Sequence, residues 1–185
     1  MEYEEIIGST SLLEALLRHA KSSWDDPGLP DHERPLAPRG HRAAERMAEY
    51  LRSNAPAVDL VVCSSALRTR ETLERMTDAF GGAEIAVEDE LYGATDDELL
   101  ERLRRVAEGS ETVALIGHNP GIQDLAIALA GSGEDLERMR AKFPTGALAV
   151  LEFDGPWRRL SRGGARLASF VTPKDLSSRP TSREA

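Results

Sequence analysis

Cysteine, lysine and aromatic side chains are all scarce in this 185-residue chain: one Cys, three Lys and 5% aromatics. The single cysteine, Cys63, excludes an intramolecular disulfide and any multi-cysteine zinc site. It lies in an apolar run, as a buried and inert thiol would, and a reducing compartment suits such a chain. No stretch approaches the roughly 18 consecutive apolar residues that span a bilayer. The start, Met1-Glu2-Tyr3-Glu4-Glu5, lacks the basic segment of a secretory signal. A cytoplasmic location and no membrane partner are therefore expected. Positive charge is also short, with 23 Lys+Arg against 32 Asp+Glu and a formal net charge of -9, so nucleic acid is not the default partner. The four histidines, His19, His32, His41 and His118, fit neither a helical two-histidine zinc motif nor a Cys/His cluster, so neither metal nor cofactor is expected.

What is present reads as an α/β domain. Apolar runs at residues 58–63, 112–116, 147–153 and 165–171, with a shorter one at 84–87, are candidate buried strands. Helical spacing of apolar residues separates several of them, at 39–52, 66–80, 95–108 and 120–130. Alternation of strand and helix implies crossover connections and a largely parallel sheet, while the last two strands look like a hairpin, which makes the sheet mixed. At 11–19 the local pattern favours helix, because Leu12, Leu13, Leu16 and Leu17 keep helical spacing and Glu14 and Ala15 are good helix formers. The proline-rich 23–38 reads as a linker, and the polar end 172–185 is expected to fray.

Four segments could carry chemistry. Arg18-His19 follows an apolar run and precedes the proline-rich loop, although in so Arg-rich a chain the pair can also arise by chance. In Cys63-Ser64-Ser65-Ala66-Leu67-Arg68 a strand turns through two serines able to cap a helix whose first turn holds Arg68. An arginine there opposes the helix dipole unless an anion binds beside it, and the alternative is a solvated surface arginine. Arg70, in the same turn, points elsewhere around the helix. In Ile116-Gly117-His118-Asn119-Pro120 a strand ends, Asn119 can cap and Pro120 suits the first helical position, which leaves His118 where open α/β sheets bind ligands. The acidic run Glu88-Asp89-Glu90 before Leu91-Tyr92-Gly93 could supply a general acid or be plain solvated surface.

Taken in order, Arg-His, Ser-Ser-x-x-Arg-x-x-x-Thr, Glu-Leu-Tyr and Gly-His-Asn-Pro resemble the histidine phosphatase superfamily, in particular its short SixA-like phosphohistidine phosphatase branch. The segment Arg34-Pro35-Leu36-Ala37-Pro38-Arg39-Gly40 resembles that family's Arg-Pro-Leu approach to its first helix. The resemblance, which covers about residues 13–153, implies a three-layer α/β/α, phosphoglycerate mutase-like fold; residues 1–172 are expected to form this single domain and the polar 173–185 a disordered tail. It makes 12–17 the central strand despite the helical local pattern. It implies that His19 is the phosphorylated nucleophile, that Arg18 and Arg68 bind the phosphoryl oxygens and that His118 completes the pocket. Glu90 takes the proton-donor position, with Glu88, Asp89 and Asp97 as rivals, and Lys21 and Asn119 contact substrate. Ala20 stands where many members have glycine, as is common in the SixA-like branch.

The chemistry is coherent on its own terms. Neighbouring cations keep an imidazole neutral and nucleophilic near pH 7, and no metal is needed. The expected function is a metal-independent phosphatase of phosphohistidine in proteins or of a small phosphomonoester. A broad-specificity sugar or nucleotide phosphatase and a non-catalytic phosphate-binding module are the alternatives.

Overall fold

The strand at the centre of the sheet is apolar on both faces, and the rest of the fold is arranged around it. In the computed structural model, which describes residues 11–177, this strand is β1, Leu12–Arg18. Its local helical pattern loses to tertiary burial. Leu16 enters one core while Ala15 and Leu17 enter the other, so the alternation that marks a half-exposed strand is missing. The remaining strands are β2 (Leu60–Ser64), β3 (Glu84–Glu88), β4 (Thr112–Gly117), β5 (Ala130–Ser132), β6 (Leu148–Phe153) and β7 (Ala165–Val171). They form one seven-stranded sheet in the order β3-β2-β4-β1-β6-β7-β5. Pairs β1–β4, β2–β4, β2–β3 and β5–β7 are parallel, whereas β1–β6 and the hairpin β6–β7 are antiparallel.

Helices cover both faces, giving the expected three-layer, mixed α/β/α arrangement. On one face α1 (Pro38–Asn54) and α2 (Leu67–Phe80) bury Met47, Leu51, Leu73 and Met76 against Val61, Cys63 and Ile116. On the other, α3 (Asp96–Arg104) and α4 (Gly121–Leu129) bury Leu99, Leu103, Ile122 and Leu125 against Val62, Leu115 and Leu16. Each fully buried aliphatic side chain of this kind contributes about 1.5–3 kcal/mol. Thr95 caps α3 with a complete capping box, its hydroxyl accepting from the Glu98 N–H while the Glu98 carboxylate accepts from the Thr95 N–H. One polar group breaks the apolar pattern of β1. Glu14, flanked by Val113 and Leu151, is completely buried, both its oxygens lack a hydrogen-bond partner among the described residues, and burial holds its pKa well above the usual carboxylate range.

Several local expectations need correction. The short β5 and α5 (Leu136–Ala141) have no counterpart in the sequence reading, and α3 ends at Arg104 rather than 108. The end of the chain does not fray at 173: Pro173–Ser177 forms α6, and Asp175 accepts from the N–H and hydroxyl of Thr172. The other tail positions, 178–185, lie outside the described residues. The 23–38 segment is an ordered loop. It is closed by an antiparallel bridge between Ser22 and Leu36 and by the Leu36 N–H donating to Glu71 on α2 at 2.6 Å. Within it the Arg34 guanidinium stacks on the Trp24 ring at 3.9 Å.

Candidate active site

The carboxyl ends of β1, β2 and β4 lie side by side, and each delivers one polar group to the same crevice: His19 just after β1, Ser64 at the end of β2 and His118 just after β4. This is where an open parallel sheet offers its ligand site. The His19 and His118 rings stand 5.2 Å apart. Backbone bonds fix His19 on both sides, since its N–H donates to Gly117 and its carbonyl accepts from Gly146. Gly146 has φ +77°, and a Cβ there would stand 2.9 Å from Pro173, so glycine is needed at this contact. Thr72 of α2 ties β1 to Arg68: its hydroxyl accepts from the Ala20 N–H and donates to the Arg68 carbonyl.

The hydrogen bonds assign the imidazole tautomers. His19 Nδ1 lies 2.7 Å from the Ala20 carbonyl, which can only accept, so Nδ1 carries the proton and the lone pair is on Nε2. His118 has the opposite arrangement. Arg68 donates to its Nδ1 at 3.3 Å, so Nε2 carries the proton and donates to the Ser64 hydroxyl at 2.7 Å. Both rings are held neutral. Burial, followed by the Arg68 and Arg18 charges, brings the His19 pKa down to about 4 despite the opposing Ala20 hydrogen bond; burial, His19 and Arg68 bring His118 down to about 3.

Arg18 and Arg68 supply the positive charge. Arg18 donates through Nη1 to the Phe143 carbonyl at 2.8 Å and keeps a buried Nε without a partner among the described residues. Burial and the nearby Arg68 lower its pKa. Arg68, in the first turn of α2, is buried, while its rival Arg70 is exposed. Asn119 donates to the same Phe143 carbonyl at 3.1 Å and to Gln123, so it steadies the loop that holds Arg18.

Some predicted roles differ in detail. Neither Ser64 nor Asn119 is a helix cap: Ala66 and Pro120 occupy those positions, and the Asn119–Pro120 bond is cis. The serines instead meet histidines, Ser64 meeting His118 and Ser65 meeting His32 at 3.0 Å. Lys21 offers its carbonyl to Ala37, but no described hydrogen bond carries its ammonium to the histidines. Glu90 is exposed and lines a cavity of about 630 Å³ with Glu88, Asp97, Glu98 and Arg102, a lining that includes no histidine. Of its rivals, Glu88 is bound by Arg102 and Asp97 by Arg162, while Asp89 is exposed.

Two residues that the sequence reading left out of the site belong to it. Asp31, in a 3-10 turn of the proline-rich loop, accepts from Arg68 Nη2 through Oδ2 at 3.0 Å, and its carbonyl accepts from Arg68 Nη1 at 2.6 Å. Tyr92 donates its hydroxyl to the same Oδ2 at 2.7 Å and sets its ring edge-on to both His32 and His118. The Tyr92 hydrogen bond and the Arg68 charge hold the Asp31 carboxyl below its ordinary pKa, against a smaller opposing effect of burial. The Glu-Leu-Tyr motif pointed toward Tyr92, but nothing in the sequence singled out Asp31.

Two neutral histidines and two arginines thus meet at the end of a parallel sheet in an α/β protein, and comparison with known proteins gives its class. The sequence model of the histidine phosphatase superfamily (branch 1) matches residues 15–94. An uncharacterized protein of Mycobacterium tuberculosis is 44% identical over 162 residues, covering 85% of this chain and 100% of its own. A candidate phosphohistidine phosphatase, SixA, of Nakamurella multipartitia superposes with a TM-score of 0.77 at 35% identity, over 88% of this chain and 96% of that one. The corresponding Agrobacterium tumefaciens structure gives 0.76 at 34%, over 88% and 98%. The chain belongs to branch 1 of the histidine phosphatase superfamily, among its SixA-like members, and is a phosphatase.

Proposed function

We propose that the chain hydrolyses phosphohistidine in proteins through a phosphoenzyme intermediate on His19. The observation that carries this reading is the His19 tautomer: the Ala20 carbonyl holds the proton on Nδ1 and leaves the Nε2 lone pair free beside two guanidiniums. In the first step Nε2 attacks phosphorus, the substrate's P–N bond breaks and a P–Nε2 bond forms. Arg18 and Arg68 hold the nonbridging oxygens, each charge-assisted hydrogen bond being worth about 1.5–3 kcal/mol. His118 is neutral in the free protein and carries its proton on Nε2, from which it donates to the phosphoryl. Water then attacks phosphorus, the P–Nε2 bond breaks and orthophosphate leaves.

The acid groups near the site favour phosphohistidine over a sugar or nucleotide ester. Glu90 is exposed and makes no described hydrogen bond to either histidine, and Asp31 is held ionised, so neither is poised to protonate an alkoxide. An imidazole leaving group takes its proton on the far ring nitrogen from solvent and departs neutral. The test measures orthophosphate release from a phosphohistidine-bearing protein and from an aryl phosphate, with chelator present, for wild type and His19→Ala. Chelator-resistant release that favours the protein and vanishes in the variant is expected. Turnover surviving in His19→Ala overturns the reading, and release from the aryl ester alone favours the small-molecule phosphatase.

A further inference from the structure

The first turn of a helix is an unfavourable place for an arginine unless an anion is present, and here the protein supplies one itself. Both terminal nitrogens of Arg68 are engaged by a single residue, Nη1 with the Asp31 carbonyl and Nη2 with the Asp31 carboxylate. Tyr92 pins the same carboxylate oxygen from the other side. The Asp31 side chain is nevertheless 53% exposed, against 9% for that of Arg68. Its carboxylate can therefore turn out into solvent while the backbone contact continues to orient the guanidinium. The loop carrying Asp31 is anchored at Ser65 by His32 and at Glu71 by the Leu36 N–H, so the exchange needs no larger movement.

We infer that the Asp31 carboxylate is a built-in competitor for the phosphoryl group at Arg68. It occupies the anion position in the free protein, gives way to substrate and returns to expel orthophosphate. This rests on the reading of Arg68 as a phosphoryl ligand. The chemistry is direct: a carboxylate and a phosphoryl dianion cannot share one guanidinium without like-charge repulsion. Free orthophosphate has only its own charge with which to displace Asp31. A phosphohistidine carried on a protein adds contacts from its surroundings, so the device discriminates against small anions and limits inhibition by product.

The experiment titrates orthophosphate calorimetrically into the full chain as wild type, Asp31→Asn, Tyr92→Phe and Arg68→Ala, with thermal melts to verify folding. Asn keeps the shape and an acceptor for Tyr92 but removes the charge. Asp31→Asn is expected to bind orthophosphate about tenfold more tightly, because the competing charge is gone. Tyr92→Phe shifts binding in the same direction by less, and Arg68→Ala removes the gain when combined with Asp31→Asn. Product inhibition of aryl phosphate hydrolysis should tighten in step. Unchanged or weaker binding in folded Asp31→Asn overturns the inference, weaker binding meaning that Asp31 merely positions Arg68. Orthophosphate binding does not depend on turnover by His19, so the inference and the phosphoenzyme reading can fail separately. Tighter binding without a His19 phosphoenzyme rejects only the latter.

Discussion

His19 and His118 differ in what their ring nitrogens face, and the roles proposed for them follow from that difference. His19 keeps its free lone pair because a carbonyl fixes its other nitrogen, whereas both nitrogens of His118 are engaged, by Arg68 and Ser64. With its folded-state pKa lowered to about 4, His19 stays unprotonated well below the ordinary histidine range. For a substrate whose own ionisation is taken out, kcat/KM at pH 5.5 should therefore lie within about twofold of its value at pH 7. An acid limb near pH 6.5 would contradict this. Glu90 provides a second test. A general acid contributes about 10²–10⁴-fold, so Glu90→Gln should leave phosphohistidine hydrolysis within about twofold if Glu90 is not that acid, and a loss of two orders of magnitude would restore it to the role. At this scale the sequence made Arg68 legible through its unfavourable helix position. Asp31 was hidden because it lies 37 residues away, in a loop where an acid looks solvated.

Among the elements, β1 shows why local pattern misleads. A strand buried on both faces has no polar alternation, so Leu12, Leu13, Leu16 and Leu17 matched a helix equally well; only the ordered motifs around them implied a strand. The short β5 and α5 were missed because three and six residues carry too little periodicity. Glu14 is the conspicuous cost within β1. Its folded-state pKa is raised, so its protonated form is compatible with the fold below the unfolded value near 4.5, and stability is lost as pH rises above that toward the folded value. Replacing it by Met, of similar volume, should stabilise the protein, and the gain over wild type should grow as pH rises above about 4.5, by up to about 1.4 kcal/mol per pH unit. Chemical denaturation at several pH values measures this. A difference independent of pH would mean that Glu14 ionises freely in the folded protein.

Across the whole molecule, an overall charge of -9 coexists with a crevice in which Arg18 and Arg68 set the local field. The sheet order places β4 between β1 and β2, which brings together three strand ends whose residues are far apart in sequence. The alternation of strands and helices made that architecture legible before any contact was known. It could not reveal that the proline-rich loop folds back over α2 and brings an acid to Arg68, because a long-range ion pair leaves no periodic trace. The central claim concerns one bond, between phosphorus and His19 Nε2. The most direct measurement is a rapid-quench single turnover with radiolabelled phosphohistidine protein, followed by mapping of the label on this chain. A transient label on His19, stable in alkali and labile in acid, is the result predicted; release of labelled orthophosphate with no label ever passing through His19 would contradict it.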